Sequence, residues 1–129
     1  MDRSGSPGAG FVPGRHLLDA YGRGGFRFGG MSHRGSIIAL PSGVRAWAVA
    51  SSGELRPDSF DPVFAEEPRL EFLILGLGLD IAVVPAAIRA RFRDAEIGLD
   101  AMSTGAAART YNVLVAENRH VGAALIAVE

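Results

Sequence analysis

Short runs of alternating apolar and polar residues, separated by turn formers at close spacing, fill the first half of the chain and predict β-structure. Residues 36–40 and 44–50 flank Pro41, Ser42 and Gly43, where proline suits the first central turn position and glycine tolerates a left-handed bulge. That pattern predicts a β-hairpin. On its second arm Val44, Ala46, Ala48 and Ala50 share one face while Arg45, Trp47 and Val49 share the other, so the sheet is expected to be covered on one side only. Upstream, Phe26-Arg27-Phe28 between glycines is a further short strand.

Residues 56–68 hold three prolines and four acids, which suits a connector with at most one helical turn, around residues 62–66. Beyond it the rhythm changes. Residues 70–75 are a continuous apolar strand, 85–95 a helix, 98–102 a strand, 104–118 a helix and 120–128 a strand. Pro85 fits a first helical turn, where its missing N–H costs nothing, and Val84, Ile88, Phe92 and Ala95 form one stripe. In the next helix Ala107, Tyr111, Leu114 and Val115 follow core spacing, and Ser103 or Thr104 stands where an N-cap belongs. A β-α-β-α-β succession with short connections requires parallel strands joined by right-handed crossovers. The expected architecture is an α/β domain over residues 15–129. Its mixed sheet is mostly parallel in the C-terminal half and carries an N-terminal antiparallel hairpin region, and residues 1–14 form a flexible tail.

Composition narrows the chemistry. The chain has 129 residues, 48% hydrophobic and 21% charged, enough for one buried core. Its formal charge of -1 argues against a general binder of nucleic acid. Cysteine is absent, which excludes disulfides, thiol catalysis and zinc–thiolate sites. All 13 basic residues are arginine, so a P-loop lysine and a Schiff-base lysine are excluded as well. No apolar run approaches the roughly 20 residues that span a bilayer, and the opening residues lack a hydrophobic leader segment. A cytoplasmic protein is expected, with peripheral contact at the inner membrane face left open.

Ligands of open α/β sheets collect beyond the carboxyl ends of parallel strands, where loops and helix N-termini converge. Gly76 and Gly78, after the first parallel strand, and Ser103, Thr104 and Gly105, after the second, occupy that place; Arg109 follows within reach. These residues are the candidate site for a small anion or nucleotide, and an N-cap beside a close-packing glycine is the alternative. Gly76-x-Gly78 lacks the third glycine of a dinucleotide fingerprint. Five glycines in the nine residues 22–30 suit tight bends better than a phosphate cradle. His16, His33 and His120 have no second ligand at metal spacing, so neither a metal nor a cofactor is expected. Asp58, Asp61, Glu66 and Glu67 are expected to solvate a loop. Tyr21, Phe26, Phe28, Arg34 and Trp47 are candidate interaction-surface residues, because aromatics and arginine anchor interfaces; a second core layer over the sheet is the alternative for the aromatics.

Several fragments occur together in order: Asp19-Ala20-Tyr21-Gly22, Gly25-Phe26-Arg27-Phe28-Gly29-Gly30, His33-Arg34-Gly35-Ser36, Leu40-Pro41-Ser42-Gly43, and Thr104-Gly105-Ala106-Ala107 with Arg109-Thr110-Tyr111-Asn112. With these the chain resembles the family of small single-domain proteins that includes mitochondrial complex I (NADH dehydrogenase) assembly factor 3, over nearly all of its length after the tail. The resemblance implies a three-layer α/β fold with a mixed sheet and a function exerted by contact. Ser103 stands where an aspartate is frequent in that family and Ala108 where a cysteine is frequent, which weakens any family-wide catalyst at this helix start.

Two functions follow as expectations. The first is a non-enzymatic interaction or assembly protein for a respiratory NADH:ubiquinone oxidoreductase-type complex, with respiratory-complex subunits or a second copy of itself as partner. The other is a small-anion or nucleotide-binding domain of an enzyme, with its site at the strand ends.

Overall fold

The computed structural model describes residues 11–129. Six strands precede the connector: β1 (Phe11–Pro13), β2 (Ala20–Gly22), β3 (Gly25–Phe28), β4 (Met31–Arg34), β5 (Ser36–Leu40) and β6 (Gly43–Trp47). The connector forms two 3-10 turns, Ser52–Glu54 and Pro57–Phe60, and the short helix α1 (Asp61–Ala65). The expected succession follows as β7 (Phe72–Gly76), α2 (Ala86–Asp94), β8 (Gly98–Met102), α3 (Thr104–Ala116) and β9 (Val121–Leu125). Residues 1–10 of the expected tail lie outside the described residues. Phe11–Pro13, also assigned to that tail, are instead a strand paired with β6, because a Phe11-Val12 pair next to a sheet edge gains more by burial than by solvation.

Six strands make one mixed sheet in the order β1-β6-β5-β9-β7-β8, and β2-β3-β4 make a separate antiparallel sheet. β7 pairs in parallel with both β8 and β9. The chain leaves β7 for its neighbour β8 through α2, then returns past β7 to β9 through α3. Reversing direction along the sheet while keeping right-handed crossovers forces the two helices onto opposite faces. The core divides accordingly. Val84, Ile88 and Phe92 pack on one face with Trp47, Phe60 and Val63, whereas Ala107 and Tyr111 pack on the other with Phe26, Phe28 and Ile37. The small sheet therefore covers the large one beside α3, and every residue of β5 and β9 is buried.

Coverage of both faces corrects the expectation of a one-sided sheet. Val44 faces the α3 layer, while Trp47 and Val49 face the layer made by the connector and α2. The turn also differs. It consists of Pro41 and Ser42 alone, since Leu40 pairs with Gly43, and Gly43 serves close approach: a Cβ there would lie 2.6 Å from the Phe11 ring. Glu66 is buried rather than solvating, because its carboxylate accepts from the Ser42 N–H at 2.9 Å and the Ser42 hydroxyl at 2.6 Å, which ties the connector to the hairpin turn.

Tyr111 is fully buried with no partner for its hydroxyl among the described residues, and desolvation pushes its pKa up to about 12, opposed by Arg15. An orphaned buried hydroxyl carries a desolvation cost that phenylalanine does not. Tyr111→Phe should raise stability by about 0.5–1 kcal/mol, read as a higher urea midpoint at unchanged slope. A lower midpoint would mean that the hydroxyl is satisfied.

Candidate functional site

At the carboxyl ends of the parallel strands, the groups expected to receive an anion bind one another. The Gly78 N–H donates to Thr104 Oγ1 at 2.9 Å, and that hydroxyl donates to the Ile126 carbonyl at 2.7 Å. The Thr104 N–H donates to the Gly78 carbonyl at 2.9 Å, and Ser103 Oγ accepts from Ala106 as the N-cap. Gly76 allows the close fit, since a Cβ there would lie 2.9 Å from Leu125 Cδ2 and 3.0 Å from Thr104 Cα. Over the first turn of α3 sits Tyr21, whose hydroxyl occupies the space a Cβ on Gly105 would need. Arg109 is exposed one turn further on. This geometry gives the strand-end reading no support: Gly76, Gly78, Ser103 and Thr104 pack against and cap one another.

The aromatic candidates separate from one another. Trp47 is 8% exposed, meets the tilted Phe60 ring at a centroid distance of 5.6 Å and donates its indole N–H to the Ser59 carbonyl at 2.8 Å. Phe26 and Phe28 are buried under the small sheet. These three belong to the core, which corrects their assignment to a surface; the connector folds over Trp47, and strand alternation turns both phenylalanines inward. Tyr21 is half-exposed and Arg34 is exposed.

The same alternation builds a concave outer face on the small sheet. Ala20 pairs with Arg27 and Arg27 with Ser32, while Gly22 pairs with Gly25 and Gly25 with Arg34. Residues paired across strands share a face. The floor of this groove is thus Ala20, Gly22 and Gly25, and its walls are the side chains of Arg27, Ser32 and Arg34. Two tight turns frame it. Arg23-Gly24 and Gly29-Gly30 each have positive φ at both central residues, as type I′ hairpins require, so the glycine-rich stretch serves turns. The first of these turns displays Arg23 at one end of the groove.

The resulting cavity measures about 570 Å³ and is lined by Arg23, Arg27, Arg34 and His33 among others. Arg27 Nη1 donates to Ser32 Oγ at 2.8 Å. Among the described residues, ion pairs join Arg56 to Asp58, Arg69 to Glu96, Arg91 to Asp61 and Arg119 to Glu71, and none involves a groove arginine. Residues 20–34 contain three arginines, a histidine and no acid. Arg23, Arg27 and Ser32 were not singled out from the sequence, although the Phe-Arg-Phe alternation signals an outward Arg27.

A second exposed feature is the loop after β7. Leu79, Ile81 and Val83 are 76%, 75% and 93% exposed, so this loop presents apolar side chains to solvent. Acid chemistry has a structural explanation at Glu71, where the Arg119 guanidinium and then the His120 N–H hold the carboxyl below its ordinary value. Among the described residues no group of three His, Asp or Glu side chains is placed to hold a metal, and no helix is long and apolar enough to cross a membrane.

Comparison with known proteins agrees with this architecture. A human protein named NADH dehydrogenase [ubiquinone] 1 alpha subcomplex assembly factor 3 is 32% identical over 109 residues, covering 84% of this chain and 59% of its own length. The chain thus spans somewhat more than half of that relative. An uncharacterized protein of Rhodobacter capsulatus is 35% identical over 109 residues, covering 84% of this chain and 82% of that protein. Among solved structures, a Bartonella henselae protein described as an outer membrane protein is 46% identical with a TM-score of 0.85, covering 91% of this chain and 98% of that one. Residues 18–126 match the family model described as protein of unknown function (DUF498/DUF598), and the chain belongs to that family.

Proposed function

We propose that this chain is a non-catalytic assembly protein that holds a subunit of an NADH:ubiquinone oxidoreductase-type respiratory complex while the complex is built. The observation that carries this reading is the 32% identity to the human assembly factor over 109 residues, 84% of this chain. Two features of the surface support it. The strand-end groups that would serve a small ligand are committed to internal hydrogen bonds. The loop carrying Leu79, Ile81 and Val83 exposes apolar side chains where a protein partner can bury them. In this reading the protein works in the cytoplasm, at the inner face of the membrane that carries the complex.

Deleting the gene in its native cell should lower the amount of assembled complex several-fold on a native gel, with a matching loss of NADH:ubiquinone activity in membranes. The wild-type gene should restore both. Leu79→Ser/Ile81→Ser/Val83→Ser should restore them only in part while folding normally, because fully exposed apolar residues contribute little to stability. An unchanged level of complex in the deletion strain would overturn the assembly reading.

A further inference from the structure

We infer that the arginine groove of the small sheet is a docking site for an extended acidic segment of a partner protein, with carboxylates at alternate positions. The inference deepens the assembly reading and rests on it for the nature of the partner, a protein. The chemistry of the groove itself selects the charge. Arg23, Arg27 and Arg34 are exposed, line one cavity and have no carboxylate partner among the described residues. A guanidinium is a planar fork of donors that matches a carboxylate with two parallel hydrogen bonds. The nearest acids do not fill this role. Asp19 precedes β2 and Glu129 lies beside Gly24 at the turn, and neither forms an ion pair with a groove arginine.

Spacing selects the shape of the ligand. Arg34 is paired with Gly25, which lies two positions before Arg27 on the same strand, so the two arginines are diagonal neighbours on one face. Such neighbours are about 7–8 Å apart at the backbone. An extended chain repeats its side-chain direction every second residue, at about 6.6 Å. Glutamates or aspartates at alternate positions of an extended segment therefore meet Arg27 and Arg34 together, and Arg23 stands at the turn end for a third. A compact ion satisfies one of these forks and leaves the other solvated. The floor suits a backbone lying close, because Ala20, Gly22 and Gly25 offer almost no side chain. Gly25 also cannot be replaced by a larger residue, since a Cβ there would collide with the His33 carbonyl and force β3 from β4.

The test is a titration of the full chain, at low ionic strength, with a short synthetic peptide carrying glutamates at alternate positions. Fluorescence anisotropy of the labelled peptide should show saturable binding, and a peptide of the same composition with its glutamates contiguous should bind more weakly. Arg27→Glu/Arg34→Glu should weaken binding at least about tenfold, whereas Arg89→Glu/Arg93→Glu, the same charge change on the exposed face of α2, should leave it within about twofold. Thermal denaturation of both variants should match the wild type, since all four side chains are exposed. Absence of saturable binding overturns the inference, as does equal weakening by the two double variants. Displacement of the peptide by inorganic phosphate or oligothymidylate at equal concentration would overturn it as well, by assigning the groove to phosphate. The assembly reading is judged separately by the deletion strain: a defect there with no peptide binding removes the groove and leaves the assembly role standing.

Discussion

Phe60→Ala should destabilise the domain by about 3–5 kcal/mol, the cost of truncating a fully buried aromatic side chain. Phe60 closes the Pro57–Phe60 turn, is completely buried, and touches Trp47 at 5.6 Å and Phe92 at 5.3 Å between ring centroids. Phe92 in turn meets Phe64 at 4.7 Å, and Arg91 lies over the Phe64 ring at 4.1 Å while pairing with Asp61. One ring thus joins the connector, β6 and α2, and the cavity left by alanine cannot be refilled without moving all three. A urea titration measures the loss. Trp47 is the chain's single tryptophan, so its emission reports the same event locally: in Phe60→Ala the native-state spectrum should shift to longer wavelength as water reaches the indole. A loss below about 1 kcal/mol with an unshifted spectrum would mean that the connector does not pack on the sheet.

Trp47 shows where the sequence was readable and where it was not. Strand alternation correctly put Trp47 opposite Val44, and both crossover helices, an N-cap at Ser103 or Thr104, which the structure places at Ser103, and the parallel direction of the last three strands follow from periodicity and capping. What alternation cannot state is what lies against each face. The residues that cover Trp47 come from a connector whose prolines and acids read as solvated loop, and only the structure shows Phe60 and Val63 turned inward and Glu66 spent on Ser42. Burial of one face by a segment distant in sequence is a tertiary fact with no local signal.

The candidate site divides in the same way. Topology alone places the loops that carry Gly78 and Thr104 at the carboxyl ends of the parallel strands. Their hydrogen bonds to each other were not visible, and those bonds decide between a ligand site and a packed joint. The sequence offers Arg34 as an interaction-surface candidate, but its relation to Arg27 depends on the register of β3 with β4, which a two-residue glycine turn fixes in space and a sequence reading leaves open.

The joint at Thr104 carries the second large expected effect. Thr104→Val keeps the shape of the side chain and removes the oxygen that accepts from Gly78 and donates to Ile126. It leaves a backbone N–H and a carbonyl buried without partners, each worth about 1–3 kcal/mol, so a loss of about 2–6 kcal/mol is expected. Thr104→Ser retains the hydroxyl and should cost about 1 kcal/mol for its lost methyl group. The comparison separates hydrogen bonding from packing, since packing alone predicts the reverse order. The consequence reaches beyond stability. Thr104 begins α3, Gly78 begins the apolar loop of Leu79, Ile81 and Val83, and Ile126 follows β9, so this hydroxyl, beside the Thr104 N–H bond to the Gly78 carbonyl, holds that loop to the sheet. Hydrogen exchange in Thr104→Val should therefore rise first at residues 78–84, before global unfolding, and protection there equal to wild type would show that the loop is held by other contacts.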